Sequence, residues 1–212
     1  MLDDFTPPHP VQFKGRPWAK HCLKLMGWSI AFEGLPARQG VMVVYPHTSN
    51  WDFVVGILVK LAIGIQVHFW GKHTLFQIPL LGALIKAWGG IAVDRQNPGD
   101  LIDRTVQQLQ QARQNDQLLW IALAPEGTRS YRPGWRSGFH RLACQAQVPL
   151  GVATLDYARK EVRLMHFIRL SGDVQADHDR IQDLVGQVRG FHPDRASPIQ
   201  PLKASPSAQE TR

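Results

Sequence analysis

The chain has 212 residues and a mass of 23.9 kDa, a size that corresponds to one domain with a short extension. Its 44% hydrophobic and 19% charged residues exclude a disordered or fibrous protein, and its two cysteines, Cys22 and Cys144, exclude a disulfide scaffold or a cysteine-rich zinc site. Because 24 Lys and Arg residues face 17 Asp and Glu residues, the net charge is +7, which favours an anionic partner: nucleic acid, anionic lipid or a phosphorylated substrate.

Residues 1–27 are predicted to form an irregular segment followed by an amphipathic helix. The opening MLDDFTPPHP is acidic and rich in proline, unlike a secretory signal peptide, so we expect a cytoplasmic protein. Pro17 suits the first turn of a helix that runs to about Ser29 and has on its apolar face Trp18, Cys22, Leu25 and Met26. Two interpretations stay open: the helix packs on the core, or it lies in a membrane interface.

From residue 28 onwards the pattern alternates between strands and helices. In chain order it predicts strands at 28–33 and 41–46, a helix at 51–65, a strand at 66–70, helical turns at 74–88, a strand at 91–93, a helix at 98–115, a strand at 118–124, a helix at 138–147, strands at 149–155 and 161–170, and a helix at 177–189. The apolar run at 53–65 contains Lys60 and is too short to span a bilayer. We therefore predict an α/β domain over 28–191, with a mainly parallel central sheet flanked by helices, and a disordered tail over 192–212.

Polar clusters follow three of the predicted strands, where open α/β sheets bind ligands. In the first cluster, His47 can act as a general base and Asp52 can orient its ring across a strand-to-helix turn. The alternative is a strand-end histidine satisfied by water, with Asp52 favouring the helix N-terminus. The second cluster is Asp94 and Arg95, in which Arg95 anchors a phosphate or pairs with Asp94.

The third cluster, PEGTRS at residues 125–130, has the composition of an anion-binding turn. Gly127 allows backbone amides to approach an anion, Arg129 can form a bidentate contact with phosphate, and Thr128 can donate a hydroxyl hydrogen bond. Glu126 orients Arg129, pairs with it as a simple ion pair, or binds a substrate hydroxyl.

Other chemistries lack support in the sequence. There is no G-x-S-x-G elbow, Walker A motif or G-x-G-x-x-G loop, and the spacing of the histidines predicts no metal site. His140 is expected at the surface or at an interface rather than in a catalytic role. The basic residues are dispersed and form no recognised nucleic-acid motif, so we expect no nucleic acid partner.

Taken together, HTSNWD, GGIAVDR, APEGTRS and VPLGV occur in an order that resembles the glycerolipid acyltransferase family, of which the lysophosphatidic acid acyltransferases are the best-known members. The resemblance covers roughly residues 28–155, and its first and third blocks are the specific ones. Two positions depart from the family pattern: Ala124 replaces a frequent Phe, and Ala92 precedes Val93 where an aromatic residue is common. These departures leave the identity of the acceptor open.

The resemblance implies an O-acyltransferase that moves a fatty acyl group from acyl-CoA or acyl-carrier protein, without a further cofactor, to 1-acylglycerol-3-phosphate. It implies that His47 is the general base and that Asp52 orients it. The acceptor would be held by Arg95, Glu126, Gly127, Thr128 and Arg129, and Pro149 would line an apolar wall.

Two alternatives stay open: an acyltransferase for another hydroxylated lipid or lyso-aminolipid, and a peripheral lipid-binding protein without activity. In each case we expect peripheral contact with the anionic cytoplasmic face of a membrane. Acyl-chain length, donor type, oxyanion donor and oligomeric state do not follow from the sequence.

Overall fold

The computed structural model of the protein describes residues 13–93 and 98–203. Its helices are α1 (Pro17–Leu25), α2 (Trp51–Ile63), α3 (His73–Phe76), α4 (Leu81–Ala87), α5 (Pro98–Gln114), α6 (Gly138–Ala146) and α7 (Val174–Val185), with a 3-10 turn at Pro193–Arg195. Its strands are β1 (Ser29–Phe32), β2 (Gln39–Tyr45), β3 (Val67–Lys72), β4 (Gly90–Val93), β5 (Leu119–Leu123), β6 (Leu150–Asp156) and β7 (Glu161–Ile168).

One seven-stranded sheet organises the described residues, in the order β1-β7-β6-β2-β5-β3-β4. The strand pairs are parallel apart from β6 and β7, which form an antiparallel hairpin. The predicted α/β class with a mainly parallel sheet is thereby confirmed. β2 and β6 lie at the centre and are apolar along almost their whole length, as expected for strands covered on both faces.

Alternating side chains of β2 face two layers of helices. Val41 and Val43 belong to the core beneath α5, α6 and α7, where Trp135 is also fully buried. Val44, on the opposite face of the sheet, packs against the cluster formed by α1 and α2. The carboxyl end of β2 therefore emerges between two fixed layers, which determines where the following loop can lie.

The apolar face predicted for α1 is mostly not the face that is buried, although Met26 packs against the cluster formed by α1 and α2. Ala19 and Leu23 are buried against α2, whereas Trp18 is 52% exposed and Leu25 is 75% exposed. The small Ala19 allows α1 to approach α2 closely, and the backbone amide of Arg16 donates to the Leu61 carbonyl at 2.8 Å. Helix packing, rather than the hydrophobicity of a single stripe, thus selects the buried face.

The predicted disorder is also wrong for residues 192–203, while residues 204–212 lie outside the described part of the chain. Ser197 is fully buried, and Ile199 is packed in the main core. The backbone amide of Trp135 donates to the Gln200 carbonyl at 2.7 Å, and the amide of Leu202 donates to the Trp135 carbonyl at 2.8 Å. We call residues 190–202 the C-terminal strap.

We expect Ile199→Ala to lower the free energy of unfolding by about 2–4 kcal/mol, because the substitution leaves a cavity in the core. Urea denaturation measures the change. Leu25→Ala is the matched control, since this side chain is exposed and its loss should change stability by no more than about 0.5 kcal/mol. Equal stability of the two variants would contradict a packed strap.

Candidate active site

The two principal polar clusters meet at one edge of the sheet. β2 and β5 are neighbouring parallel strands, so the loops that follow them begin side by side. His47 follows β2 and Glu126 follows β5, and the His47 backbone amide donates to Glu126 Oε2 at 2.5 Å. The structure therefore brings His47, Asp52 and Glu126 together, as their positions after strands predict.

Asp52 folds back onto His47 across the turn that begins α2. His47 Nδ1 lies 3.3 Å from Asp52 Oδ2, and the same oxygen accepts hydrogen bonds from the backbone amides of Thr48 and Ser49, both at 2.7 Å. Asp52 is only 2% exposed. With Nδ1 held by the carboxylate, Nε2 is the ring nitrogen that can take a proton from a substrate.

The Asp52 carboxylate is held in its charged form. Burial alone would raise its pKa, but hydrogen bonds from His47, the Ser49 amide and the Tyr157 hydroxyl outweigh burial, and the pKa lies below its ordinary value. An ionised carboxylate at this distance stabilises the imidazolium that forms when His47 accepts a proton. A histidine and a carboxylate arranged in this way can serve as a general base and the group that orients it.

Glu126 lies inside the protein rather than on an open surface. It is 1% exposed, its Oε2 accepts from the His47 amide, and its Oε1 accepts from the Ser197 amide at 2.9 Å. Burial raises its pKa despite these two hydrogen bonds. The structure thus engages both carboxylate oxygens with backbone amides, and it does not pair Glu126 with Arg129 as the sequence allowed.

The turn after Glu126 presents the other predicted anion-binding residues. Gly127 has a positive φ of 67°, and a Cβ there would lie 2.8 Å from Arg136 Nε, so the position requires glycine. Thr128 Oγ1 accepts from the Ser130 amide at 3.3 Å, and Arg129 is exposed. The Arg129 side chain is therefore accessible from solvent.

Two predicted site residues are not placed beside His47. Arg95 lies outside the described residues. Pro149 is buried at the start of β6, where its carbonyl accepts from the Val41 amide at 3.0 Å. Since β6 runs parallel to β2, Pro149 lies at the sheet edge opposite His47, and the structure does not place it in a wall beside the base.

The site also contains residues that the sequence did not indicate. The Tyr157 hydroxyl donates to Asp52 Oδ1 at 2.8 Å, and Ser197 contacts Glu126 from the C-terminal strap. Thr48 Oγ1 accepts from the His192 amide at 3.1 Å. These partners are separated from the motif residues by long stretches of chain, so no local pattern could reveal them.

A second buried polar cluster lies between α6 and the start of α7. His140, expected at the surface, is 4% exposed, and its Nε2 lies 2.7 Å from Asp177 Oδ2. Cys144 Sγ lies 3.8 Å from His140 Nδ1, and the candidate ligand atoms of the three residues lie within 4.8 Å of one another. Asp177 also accepts from Ser171, which makes it a structural acceptor that ties α7 to α6.

The α/β domain places a His–Asp pair beside a glycine turn at the carboxyl ends of its strands, where α/β enzymes bind ligands and where a histidine can act as a general base. The chain belongs to the acyltransferase family: the family model described as Acyltransferase matches residues 29–153, which include both motif loops.

Two known proteins are similar to this chain. The 1-acyl-sn-glycerol-3-phosphate acyltransferase of Bacillus subtilis (strain 168) is 32% identical over 101 residues, and the match spans 46% of each chain, less than half of that relative's length. The crystal structure of the 1-acyl-sn-glycerophosphate acyltransferase PlsC from Thermotoga maritima matches with a TM-score of 0.53 at 18% identity, covering 79% of this chain and 73% of that one. The structural similarity is one of fold.

Glu126→Gln should change how stability depends on pH. A raised pKa in the folded state means that Glu126 favours folding below its ordinary value of 4.5, and that this contribution is lost as the pH rises through the folded-state value. The wild type should therefore lose stability relative to Glu126→Gln over that interval, by about 1.4 kcal/mol for each pH unit of the shift.

Urea denaturation at a series of pH values from acid to neutral measures this difference. Glu161→Gln is the control, because this carboxylate forms a surface ion pair with Arg163 at 2.9 Å. If the stability difference between wild type and Glu126→Gln stays constant across the series, the claim that burial raises the pKa of Glu126 is contradicted.

Proposed function

We propose that this protein transfers a fatty acyl group from an acyl thioester to the free hydroxyl of a lysophospholipid. The acceptor we favour is 1-acylglycerol-3-phosphate, which would give phosphatidic acid in phospholipid biosynthesis. The observation that carries the proposal is the His47–Asp52 pair, 3.3 Å apart, in a domain of the acyltransferase family. The name of the Bacillus subtilis relative supports this acceptor.

In the proposed reaction, His47 Nε2 takes the proton of the acceptor hydroxyl while its oxygen attacks the thioester carbonyl carbon. Asp52 stabilises the imidazolium that results. The tetrahedral intermediate then collapses, the carbon–sulfur bond breaks, and the departing thiolate receives the proton from His47. The products are the ester and the free thiol of CoA or of acyl-carrier protein. General base catalysis of this kind contributes about 10²–10⁴-fold to the rate.

The proposed phosphate site is the turn after β5. Arg129 is exposed there and can form two parallel hydrogen bonds with a phosphate, while Gly127 allows close approach of the backbone. The resemblance assigns Arg95 to the same phosphate. Because Glu126 is buried, its proposed part in acceptor binding is indirect, through the loop that it holds.

Thioester consumption by the purified protein tests the proposal, with lysophosphatidic acid compared against a panel of phosphate-free hydroxylated lipids. We expect lysophosphatidic acid to be preferred and His47→Ala to lower the turnover number at least about 10²-fold with an unchanged fold, because the general base is lost. Circular dichroism confirms that the variant is folded. Retained turnover in His47→Ala would overturn the general-base assignment.

Arg129→Ala separates phosphate recognition from chemistry in the same assay. It should raise the KM for lysophosphatidic acid and leave the KM for phosphate-free acceptors unchanged. Turnover of another hydroxylated lipid or of a lyso-aminolipid alone would move the protein to that acceptor. Absence of turnover with both acyl-CoA and acyl-carrier protein donors would favour a lipid-binding protein without activity.

We further propose peripheral contact with the anionic cytoplasmic face of a membrane, through an exposed apolar surface formed by Leu75, Ile78, Leu80, Leu81 and Leu84. Leu80 is 88% exposed at the start of α4, and residues 74–85 contain no charged side chain. α3 follows β3, which runs parallel to β5 and hence to β2, so this surface begins at the same sheet edge as His47.

Charge supports a lipid partner for this surface. Exposed Lys86 follows it directly on α4, and the chain carries a net charge of +7. Exposed Trp18 and Leu25 on α1 stand beside exposed Lys20 and Lys24, a combination that favours an interface rich in anionic lipid. None of the helices within 13–93 and 98–203 has the length and hydropathy to cross a bilayer.

Leu80→Asp should weaken co-sedimentation with vesicles of phosphatidylcholine and phosphatidylglycerol at least about tenfold, because burial of one leucine contributes about 1.5–3 kcal/mol and tenfold corresponds to about 1.4 kcal/mol. Val174→Asp is the matched control, since this residue is an exposed apolar side chain on α7. Vesicles of phosphatidylcholine alone should bind less of the wild type. Equal binding by both variants would exclude this surface, and preference for duplex DNA over vesicles would overturn membrane contact.

A further inference from the structure

The Asp52 carboxylate has partners on both of its oxygens, and only one oxygen faces the base. Oδ2 receives His47 and the amides of Thr48 and Ser49, all within the turn that begins α2. Oδ1 receives the hydroxyl of Tyr157 at 2.8 Å, a residue distant in sequence. The hydrogen bond from Tyr157, a residue outside the HTSNWD motif, therefore helps to fix which oxygen of the Asp52 carboxylate faces His47.

The parallel pairing of β6 with β2 places Tyr157 beside the turn that contains Asp52. Tyr157 follows β6, which is parallel to β2 with Tyr45 opposite Thr154, so the carboxyl ends of both strands reach the same edge. Its position is beyond residues 29–153, the part of the chain that matches the family. The sequence resemblance consequently says nothing of it.

Two aromatic rings and one backbone hydrogen bond hold Tyr157 in place. The ring of Trp28 meets it edge-on at 4.8 Å between centroids, and the ring of Phe191 meets it at 5.3 Å. The Tyr157 amide donates to the Arg189 carbonyl at 2.8 Å, which ties the residue to the segment that leads into the C-terminal strap. A fixed ring delivers its hydroxyl to one point.

We propose that Tyr157 is a positioning residue for the catalytic pair, whose hydroxyl holds the Asp52 carboxylate so that Oδ2 faces His47. This inference rests on the proposed role of His47 as general base. By donating to Oδ1, the hydroxyl also stabilises the negative charge of Asp52. A carboxylate stabilised in this way attracts the proton of the imidazolium less strongly than a carboxylate without this donor.

The charges around the pair agree with this role. Burial, together with the hydrogen bond to Asp52 and its negative charge, raises the pKa of Tyr157 well above its ordinary value, so the hydroxyl is a donor throughout the working range. Glu126, on the loop after β5, is a second carboxylate that interacts with His47. From the strap, His192 reaches the same turn through its backbone amide on Thr48.

Tyr157→Phe removes the hydroxyl and keeps the ring between Trp28 and Phe191, so it tests the hydrogen bond alone. The pH titration of the His47 imidazole, followed by NMR, should move to higher pH in this variant, because Asp52 loses a donor that stabilises its charge. The turnover number should fall about tenfold, the loss that corresponds to one hydrogen bond to a charged group. The KM for the acceptor should change little.

Tyr131→Phe is the matched control, because it removes the same hydroxyl group from a tyrosine that is 58% exposed at the surface. It should leave both the His47 titration and the turnover number unchanged. An unchanged titration together with an unchanged turnover number in Tyr157→Phe would overturn the inference. If Tyr157→Phe shifts the titration but the wild-type protein transfers no acyl group, the proposed function is refuted and the positioning role stands.

Discussion

The structure of the site depends on one buried carboxylate. Glu126 lies between the loop after β2 and the C-terminal strap, accepting one backbone amide from His47 and one from Ser197. A carboxylate is costly to bury unless strong hydrogen bonds satisfy its charge. Glu126 is only 1% exposed, and each of its carboxylate oxygens accepts a hydrogen bond from a backbone amide. Because backbone amides are fixed by the fold, the position of His47 follows from the position of the strap as much as from its own strand.

The parallel sheet explains why this carboxylate can act on several segments at once. β5, β2 and β6 are neighbours in that order and run in the same direction, so the segments after them gather at one edge. Glu126, His47 and Tyr157 stand in the three segments that follow these strands. This end of the sheet thus brings together two carboxylates that contact His47, those of Asp52 and Glu126, and a hydroxyl that donates to one of them.

The C-terminal strap shows how composition can mislead. A stretch rich in proline, serine and alanine has few side chains to bury, which is typical of disorder. In this segment the Ile199 side chain packs in the main core, and the backbone around Gln200 forms hydrogen bonds with the backbone of Trp135. Ser197 contributes its backbone amide to Glu126, and a backbone group has no signature in the sequence.

The sequence by itself determined the order of the elements, the α/β class and the His47–Asp52 pair. These depend on local periodicity and on a turn whose two ends are five positions apart, so neighbouring residues carry the information. Only the tertiary structure decided which face of α1 is buried, that Glu126 points inward, and that Pro149 lies at the far edge. It alone brought Tyr157 to Asp52 and Ser197 to Glu126, because contacts between distant segments depend on the packing of strands and helices, which no local pattern records.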